Sequence, residues 1–338
     1  MGRDISRSII LLFFGVIICC AIYPLVIWAI GQAVFPFQAN GSLVKGPDGK
    51  VVGSRLIAQP FTKDEYFQPR PSVPSYDASA SASSSLAGSN YTLRDRVSRT
   101  LGPIVNYKSG PKAGKPVAPD IEAWFTQDKF EGKLHLVAQW ADLHNGSAQA
   151  WVKADATHGA YVDEWAKAHP LLISQWVKDN PGTPKPQATD LAIIFFETFS
   201  KDNPGKFPVP VTRKGPDGKD VTTIEPAGEG TDIQATFFDM WLREHPQAEL
   251  QDIPGDLVTT SASGLDPHIT LQNAEYQLDR VATKWAADMK REPAEVKKDI
   301  SAMLDAAAAA PWYGLAGEKI VNVLEINLEL RKKYGEPK

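Results

Sequence analysis

The sequence predicts an α+β protein: one N-terminal transmembrane helix, then a mixed α/β domain on the exported side, with a mainly helical lobe in the middle of the chain. Three observations lead there. Ile9 to Ile30 is one uncharged apolar run, IILLFFGVIICCAIYPLVIWAI. Residues 35–72 alternate short β-prone runs with turns, and the last third carries helical spacing of apolar residues. Between them, residues 104–250 are rich in Pro, Gly and Trp, with turn-dense connections around helical pieces.

At 1.5 Å rise per residue a helix over that first run is ~33 Å long, enough to cross a hydrocarbon core of about 30 Å. Arg3 and Arg7 precede it, offset only by Asp4, and the first cation beyond it is Lys45. The positive-inside bias then keeps residues 1–8 in the cytoplasm, makes 9–30 the membrane span and exports the rest. A cleaved signal peptide would have a shorter apolar stretch and a small-residue cleavage site, and AIGQAVFPF is a poor match. Cys19 and Cys20 follow Ile17-Ile18, which disfavours a lipoprotein. Tyr23-Pro24 interrupts the helix ladder and shapes it either as a harmless kink or for packing on a membrane partner.

Both cysteines lie in the apolar run, so the exported region forms no disulfide and binds no metal through thiolate. Of the chain's nine Trp and fourteen Phe, all but Trp28, Phe13 and Phe14 lie beyond the apolar run and supply the apolar area for packing instead. A net charge of −4 without a basic block argues against a nucleic-acid partner.

On the exported side, Asn40-Gly41 and Pro47-Asp48-Gly49 are turn signals, and SLV and KVVGSRLI read as the strands of a hairpin. The Ser/Ala stretch at 75–91 reads as a surface loop. After Asp266-Pro267, Thr270 caps a helix with Leu271, Ala274, Leu278, Val281, Trp285 and Met289 on one face. Pro293 opens a second, carrying Val296, Ile300, Met303 and Leu304. A third runs from about Lys319 to Tyr334 and closes at Gly335, with Glu329 and Lys333 as an i,i+4 pair.

Within 104–250 four helical pieces end alike, on an aromatic, three residues, His or Asn, then Pro: Trp165 to Pro170, Trp176 to Pro181, Phe199 to Pro204 and Trp241 to Pro246. Their unequal spacing favours shared helix-stop chemistry over a true repeat. KGPDGK occurs at 45–50 and again at 214–219, marking two tight turns.

Catalytic patterns are absent. GPKAGKP at 110–116 is one residue short of a phosphate loop and has Pro116 where Ser or Thr would bind magnesium; SASG at 261–264 lacks the leading glycine of a nucleophile elbow. Five histidines (His135, His144, His158, His169, His245) fall within 104–250, but no pair has i,i+4 spacing, and no metal site is expected.

Five blocks resemble, in order, the KdpC family, the C subunit of the bacterial potassium-transporting KdpFABC ATPase. They are YP within the membrane helix, FPFQANGSL at 35–43, GSRLIAQPF…YFQPRPS at 53–72, DLVTTSASGLDPHITLQNAEYQLDRVA at 256–282 and GEKIVNVLEINLEL at 317–330. The resemblance implies a non-catalytic accessory subunit without a cofactor of its own. Its implied partners are the channel-like subunit KdpA, the P-type ATPase KdpB, which uses ATP and Mg, the small subunit KdpF and the lipid bilayer of the inner membrane. The family is thought to support assembly and, in one proposal, to raise the ATP affinity of KdpB as a catalytic chaperone. With the domain exported, such an effect is indirect.

The matching positions carry the expected partner contacts: Tyr23 and Pro24 in the membrane helix, then Asn40, Gly41, Ser42, Ser261, Ser263, Gly264, Asp266, Asn322 and Asn327, for which internal hydrogen bonding is the competing role. The Ser-rich block only loosely matches the family's Gly-Gly-Ser-Asn segment, which leaves Ser89 and Asn90 without a carried-over role. Residues 104–250 far exceed the usual connection and are expected to form an inserted Trp/Pro-rich lobe between a first part at 31–103 and a helical second part at 251–338. The alternative reading is a membrane-tethered solute receptor or sensor with its ligand pocket in that lobe; an anchored hydrolase is a third, disfavoured by the missing motifs.

Overall fold

A computed structural model describes residues 2–46, 49–216, 218–314 and 317–337 of the chain. Among the described residues, helices alternate with four two-stranded antiparallel pairs, an α+β architecture. Two compact units result: Met1–Ser85 together with Ile253–Lys338, and Leu86–Asp252.

In the first unit, Gly2–Val34 is one 33-residue helix, long and apolar enough to span a bilayer, with none of its apolar window buried. It extends past both ends of the apolar run, since helix geometry is indifferent to where the charges begin. A π-helical turn at Ile17–Ile22 stands immediately before Tyr23–Val34, in which Pro24 occupies the first turn. Proline has no N–H and its ring collides with the carbonyl four residues back, and a widened turn there relieves both problems.

The helix stops at Phe35, and Leu43–Lys45 then pairs with Val51–Ser54, with a register irregularity between Val44 and Lys45. This hairpin is shorter than SLV and KVVGSRLI imply: Arg55 N–H makes a last cross-strand bond to the Ser42 carbonyl at 2.9 Å, and Ile57 N–H then closes a turn on the Ser54 carbonyl at 3.2 Å. Pro47 and Asp48, in its turn, lie outside the described residues, as does Asp217 in the second KGPDGK. The flanking residues of the two copies close alike: Gly46 N–H reaches the Lys50 carbonyl at 2.9 Å, and Gly215 N–H the Lys219 carbonyl at 2.8 Å.

The core of this unit lies between the helices Leu271–Met289, Pro293–Ala307 and Val323–Tyr334. It gathers Leu278, Val281, Trp285, Ile300, Leu304, Ile326 and Leu330. Each such fully buried side chain contributes about 1.5–3 kcal/mol. Thr270 caps the first helix, its Oγ1 accepting from Asn273 N–H at 3.1 Å. The last helix begins later than its spacing predicts. Ile320–Asn322 pairs instead with His268–Thr270, and β-branched Ile320 and Val321 suit a strand. Lys333 turns toward Asp299 at 3.6 Å, on the neighbouring helix, rather than serving Glu329.

The second unit has an aromatic core. Phe125 stacks obliquely on Phe237 at 4.5 Å, and the edge-on contacts of Trp140 with Phe196 and Phe207 are 5.2 and 5.3 Å between centroids. A long hairpin pairs Phe207–Lys214 with Asp220–Ala227, in register from Phe207↔Ala227 to Lys214↔Asp220. The division at 85/86 differs from the boundary expected at 103/104, because the helix Tyr91–Leu101 packs on the helix Thr231–Glu244. That approach is close enough that a Cβ on Gly102 would collide with the Gln234 carbonyl.

The common helix endings are one local structure. Asn180 Nδ2 donates to the Trp176 carbonyl at 2.8 Å and Asn203 Nδ2 to the Phe199 carbonyl at 3.1 Å. His169 and His245 place Nδ1 at 2.7 and 2.8 Å from the Trp165 and Trp241 carbonyls, each ring stacked on its tryptophan. A side chain thus adds a second contact to a last-turn carbonyl, which at Trp176, Phe199 and Trp241 also accepts the backbone N–H of the same residue. Trp140–His144 is a fifth case, followed by Asn145 instead of proline.

Candidate functional site

The segment 58–72 meets two of the expected site residues of the first unit, Asn327 and Gly264. It is almost without regular secondary structure, yet its backbone groups are satisfied by side chains far away in sequence. Asn327, fully buried, accepts from Phe67 N–H with Oδ1 and donates to the Phe67 carbonyl with Nδ2, both at 2.9 Å. Gln277 repeats the pattern on Gln68, at 2.7 and 3.1 Å. Trp285 Nε1 donates to the Glu65 carbonyl at 2.8 Å, and Arg280 reaches the carbonyls of Asp64 and Tyr66 at 2.8 and 3.1 Å. Burial lowers the affinity of the Arg280 guanidinium for its proton, against the opposing pull of Asp64 and Glu65. Arg70 binds the Thr260 carbonyl at 3.0 Å.

Of the two roles expected for Asn327, partner contact and internal hydrogen bonding, its amide shows internal bonds at both ends. Asn322 is also used internally. Its Oδ1 accepts from Glu325 N–H at 3.2 Å as a helix cap, and Nδ2 donates to the Arg55 carbonyl at 2.9 Å.

The 261–266 loop folds onto residues 72–84. Ser261 is buried, and its Oγ accepts from Asp266 N–H at 3.4 Å; Ser263 Oγ accepts from Leu265 N–H at 3.1 Å. The Ser263 carbonyl takes Ala82 N–H at 3.1 Å, while Ser72 Oγ donates to the Gly264 carbonyl at 2.6 Å. Gly264 has φ +71, and a Cβ there would collide with Pro74 and come within 2.7 Å of the Ala82 carbonyl. Only glycine fits both demands. Asp266 accepts from His268 N–H at 3.0 Å. Burial works to raise the Asp266 carboxyl, but the hydrogen bonds from His268 outweigh it and hold the group below its usual range.

Asn40, Gly41 and Ser42 join the membrane helix to the hairpin. Asn40 Nδ2 donates to the Pro36 carbonyl at 2.6 Å and to Gln32 Oε1 at 3.1 Å. Gly41 at φ +82 accepts from Ser54 Oγ at 2.7 Å, and Ser42 is buried with its N–H on the Phe37 carbonyl at 2.9 Å. Tyr23 is 63% exposed on the membrane helix, beside Pro24 and the π turn. The structure therefore collects Ser261, Ser263, Gly264 and Asp266 in one loop, and Asn40, Gly41 and Ser42 at the helix exit, with Tyr23 and Pro24 apart from both.

Gln277 and Arg280 have roles not read from sequence, where Trp285 stands only as part of the apolar face of its helix. Two long polar side chains beside that face, Gln277 and Arg280, were the available signal. Among the described residues no three of His, Cys, Asp and Glu converge as a metal site. These features define a membrane-anchored α+β protein whose prominent side-chain chemistry is spent on holding an irregular segment in place.

The family pattern described as "K+-transporting ATPase, c chain" matches residues 5–122 and 231–332. The chain therefore belongs to the KdpC family. It is 48% identical over 89 residues to the potassium-transporting ATPase KdpC subunit of Pseudomonas syringae pv. tomato, covering 26% of this chain and 47% of that one. Against the KdpC subunit of Pseudomonas aeruginosa the identity is 52% over 77 residues, 23% of this chain and 42% of the relative. These matches span about half the length of those relatives. KdpC subunit 2 of Staphylococcus aureus is matched over 97% of its length and 51% of this chain, at 38% identity. The family pattern brackets residues 123–230, a narrower interruption than the 104–250 expected from sequence.

Proposed function

We propose that this chain is the accessory C subunit of an ATP-driven, high-affinity potassium import pump of the bacterial inner membrane. In this reading Gly2–Val34 crosses the bilayer once with its N-terminus in the cytoplasm, and the remainder of the chain is extracytoplasmic. It stabilises an assembly of the channel-like KdpA, the P-type ATPase KdpB and the small KdpF. ATP and Mg belong to KdpB, and this chain catalyses no step. Any rise in ATP affinity is then transmitted through the conformational equilibrium of the complex, since ATP is bound across the membrane.

The observation carrying this reading is that the family pattern continues on both sides of the interruption and includes the 58–72 segment with the residues that clamp it. Exposed Tyr23, next to a π turn in an unburied apolar helix, is the proposed contact with a partner membrane helix. The Asn40–Ser42 exit and the 261–266 loop are proposed to face partners through their backbone, their side chains being engaged within the subunit.

The test is affinity purification in mild detergent of the full chain and of a version lacking 86–252, with potassium-stimulated ATPase measured on each eluate. Both are expected to bring down the ATPase. If neither does, the pump assignment fails.

A further inference from the structure

In the 86–252 unit, the helices Tyr91–Leu101, Asn145–Lys153, Ala156–Ala168 and Thr231–Glu244 border a cavity of ≈ 290 Å³. That is close to the lower end, about 300 Å³, of spaces that hold small molecules.

Its polar lining is largely unspent. Asp95, half-buried, and Asp232, exposed, make no hydrogen bond or ion pair with a described residue. Arg99 commits one donor, to Thr236 Oγ1 at 3.3 Å. His158 borders the same space at 5% exposure, and neither ring nitrogen makes a hydrogen bond; Nδ1 is 3.3 Å from Asp155. A buried polar group left in this way is costly and ordinarily finds a partner. The ≈ 570 Å³ cavity beside Tyr107 is different, because its polar groups serve one another. There Tyr107 and Lys112 donate to Asp120 at 2.6 and 2.7 Å, and Trp124 Nε1 donates to Glu244 at 2.7 Å.

Neither sign of charge prevails in the smaller cavity. An anion would meet Asp95 and Asp232, a cation would meet Arg99, and an apolar molecule would leave His158 without a partner. A neutral molecule rich in hydroxyls suits every group: a hydroxyl donates to a carboxylate, accepts from a guanidinium, and does either with an imidazole according to its tautomer. Trp151 adds a half-buried indole, which Phe195 stacks against at 5.8 Å and which borders the cavity. The electron-rich face of an indole matches the C–H face of a sugar ring. We propose that this cavity binds a neutral sugar through one pyranose ring, its hydroxyls on Asp95, Asp232 and Arg99 and its C–H face on Trp151. A neighbouring cavity of ≈ 590 Å³ shares Asp95, Ser147 and Ala150 with it and gives room for a second ring. The site lies within the 86–252 unit and does not rest on the pump assignment.

The experiment titrates D-glucose, D-galactose and N-acetyl-D-glucosamine into the full chain by calorimetry, in a polyoxyethylene detergent that carries no sugar headgroup. Glycerol serves as the polyol without a ring, and the β1,4-linked disaccharide of N-acetylglucosamine as a glycan end. Circular dichroism verifies that the variants Asp95→Asn and Asp232→Asn fold. Saturable binding of at least one sugar is expected, weakened about tenfold in each variant, as befits loss of a hydrogen bond to a charged group. Saturation-transfer NMR should place the strongest contact on ring C–H protons. Disaccharide binding at least as tight as that of the monosaccharide assigns the site to a glycan end, and weaker binding to a free sugar; either supports the proposal. No saturation by any sugar up to about 10 mM, a range that already admits weak sites, would overturn it. So would unchanged affinity in both variants, or equal binding of glycerol.

Discussion

Replacing Asn327 with alanine should release the 58–72 segment while leaving most of the protein folded. Asn327 is fully buried and makes two 2.9 Å bonds to the Phe67 backbone, one in each direction. Truncation leaves a buried N–H and a buried carbonyl unpaired, at about 1–3 kcal/mol each. Even the low end, with a small cavity added, gives a local loss of about 3 kcal/mol. At 1.4 kcal/mol per factor of ten, amide exchange around Phe67 should then accelerate by about 100-fold. Hydrogen–deuterium exchange by mass spectrometry on the full chain reads this directly, in peptides covering 64–70, with peptides from the 86–252 unit as internal reference. Unchanged protection at 64–70 in a folded variant would refute the clamp, and equal acceleration in both units would show that the effect is not local.

Three further outcomes are expected. Gly264→Ala should lose about 2–3 kcal/mol, a fall in Tm of about 5–10 °C, because it adds a Cβ at φ +71 against Pro74 and Ala82. The hydrogen bond with Asp239 raises the His144 pKa despite burial. Stability from that pair is therefore complete below the unfolded value of about 6.5 and is lost as pH rises through the folded value. The gap in denaturant midpoint between wild type and Asp239→Asn should be widest near pH 6 and close toward about pH 9. Finally, removal of 86–252 should leave a first unit that stays monodisperse in detergent, whereas removal of 123–230 alone strips Phe125, Trp140 and Phe207 from Phe237 and should aggregate, as size-exclusion chromatography in detergent would show.

The helices were legible where spacing and stop chemistry were local. Leu278, Val281 and Trp285 announce a buried face, Thr270 its start, and the aromatic–His/Asn–Pro endings their stops. Ile320–Asn322 was read as helix because its strand partner, His268–Thr270, lies some fifty residues earlier and no local signal joins them. The β-prone 53–72 block read partly as strand, but beyond Ser54 its backbone bonds go largely to the amide, indole and guanidinium groups of Asn327, Gln277, Trp285 and Arg280. Trp140–His144 escaped notice because Asn145 occupies the position where the other endings have proline. Partner-facing roles were the least legible: the same short polar residues serve equally for docking and for internal bonds, and only burial separates Asn327 from Asn40.

The clamp also bears on how the protein is made. Asn327 follows its partner Phe67 by 260 residues, and Gln277 follows Gln68 by 209. At translation rates of about 5–20 residues per second, Phe67 waits roughly 13–50 s for the side chain that will hold it. The Leu86–Asp252 unit, contiguous in sequence, can fold co-translationally during that wait. Every residue added between the two halves of the first unit lengthens the interval in which its apolar, unpaired segment is open to chaperones and proteases. The burden of the second unit thus falls on biogenesis: slow completion of the first unit, and a yield of intact subunit that depends on synthesis rate.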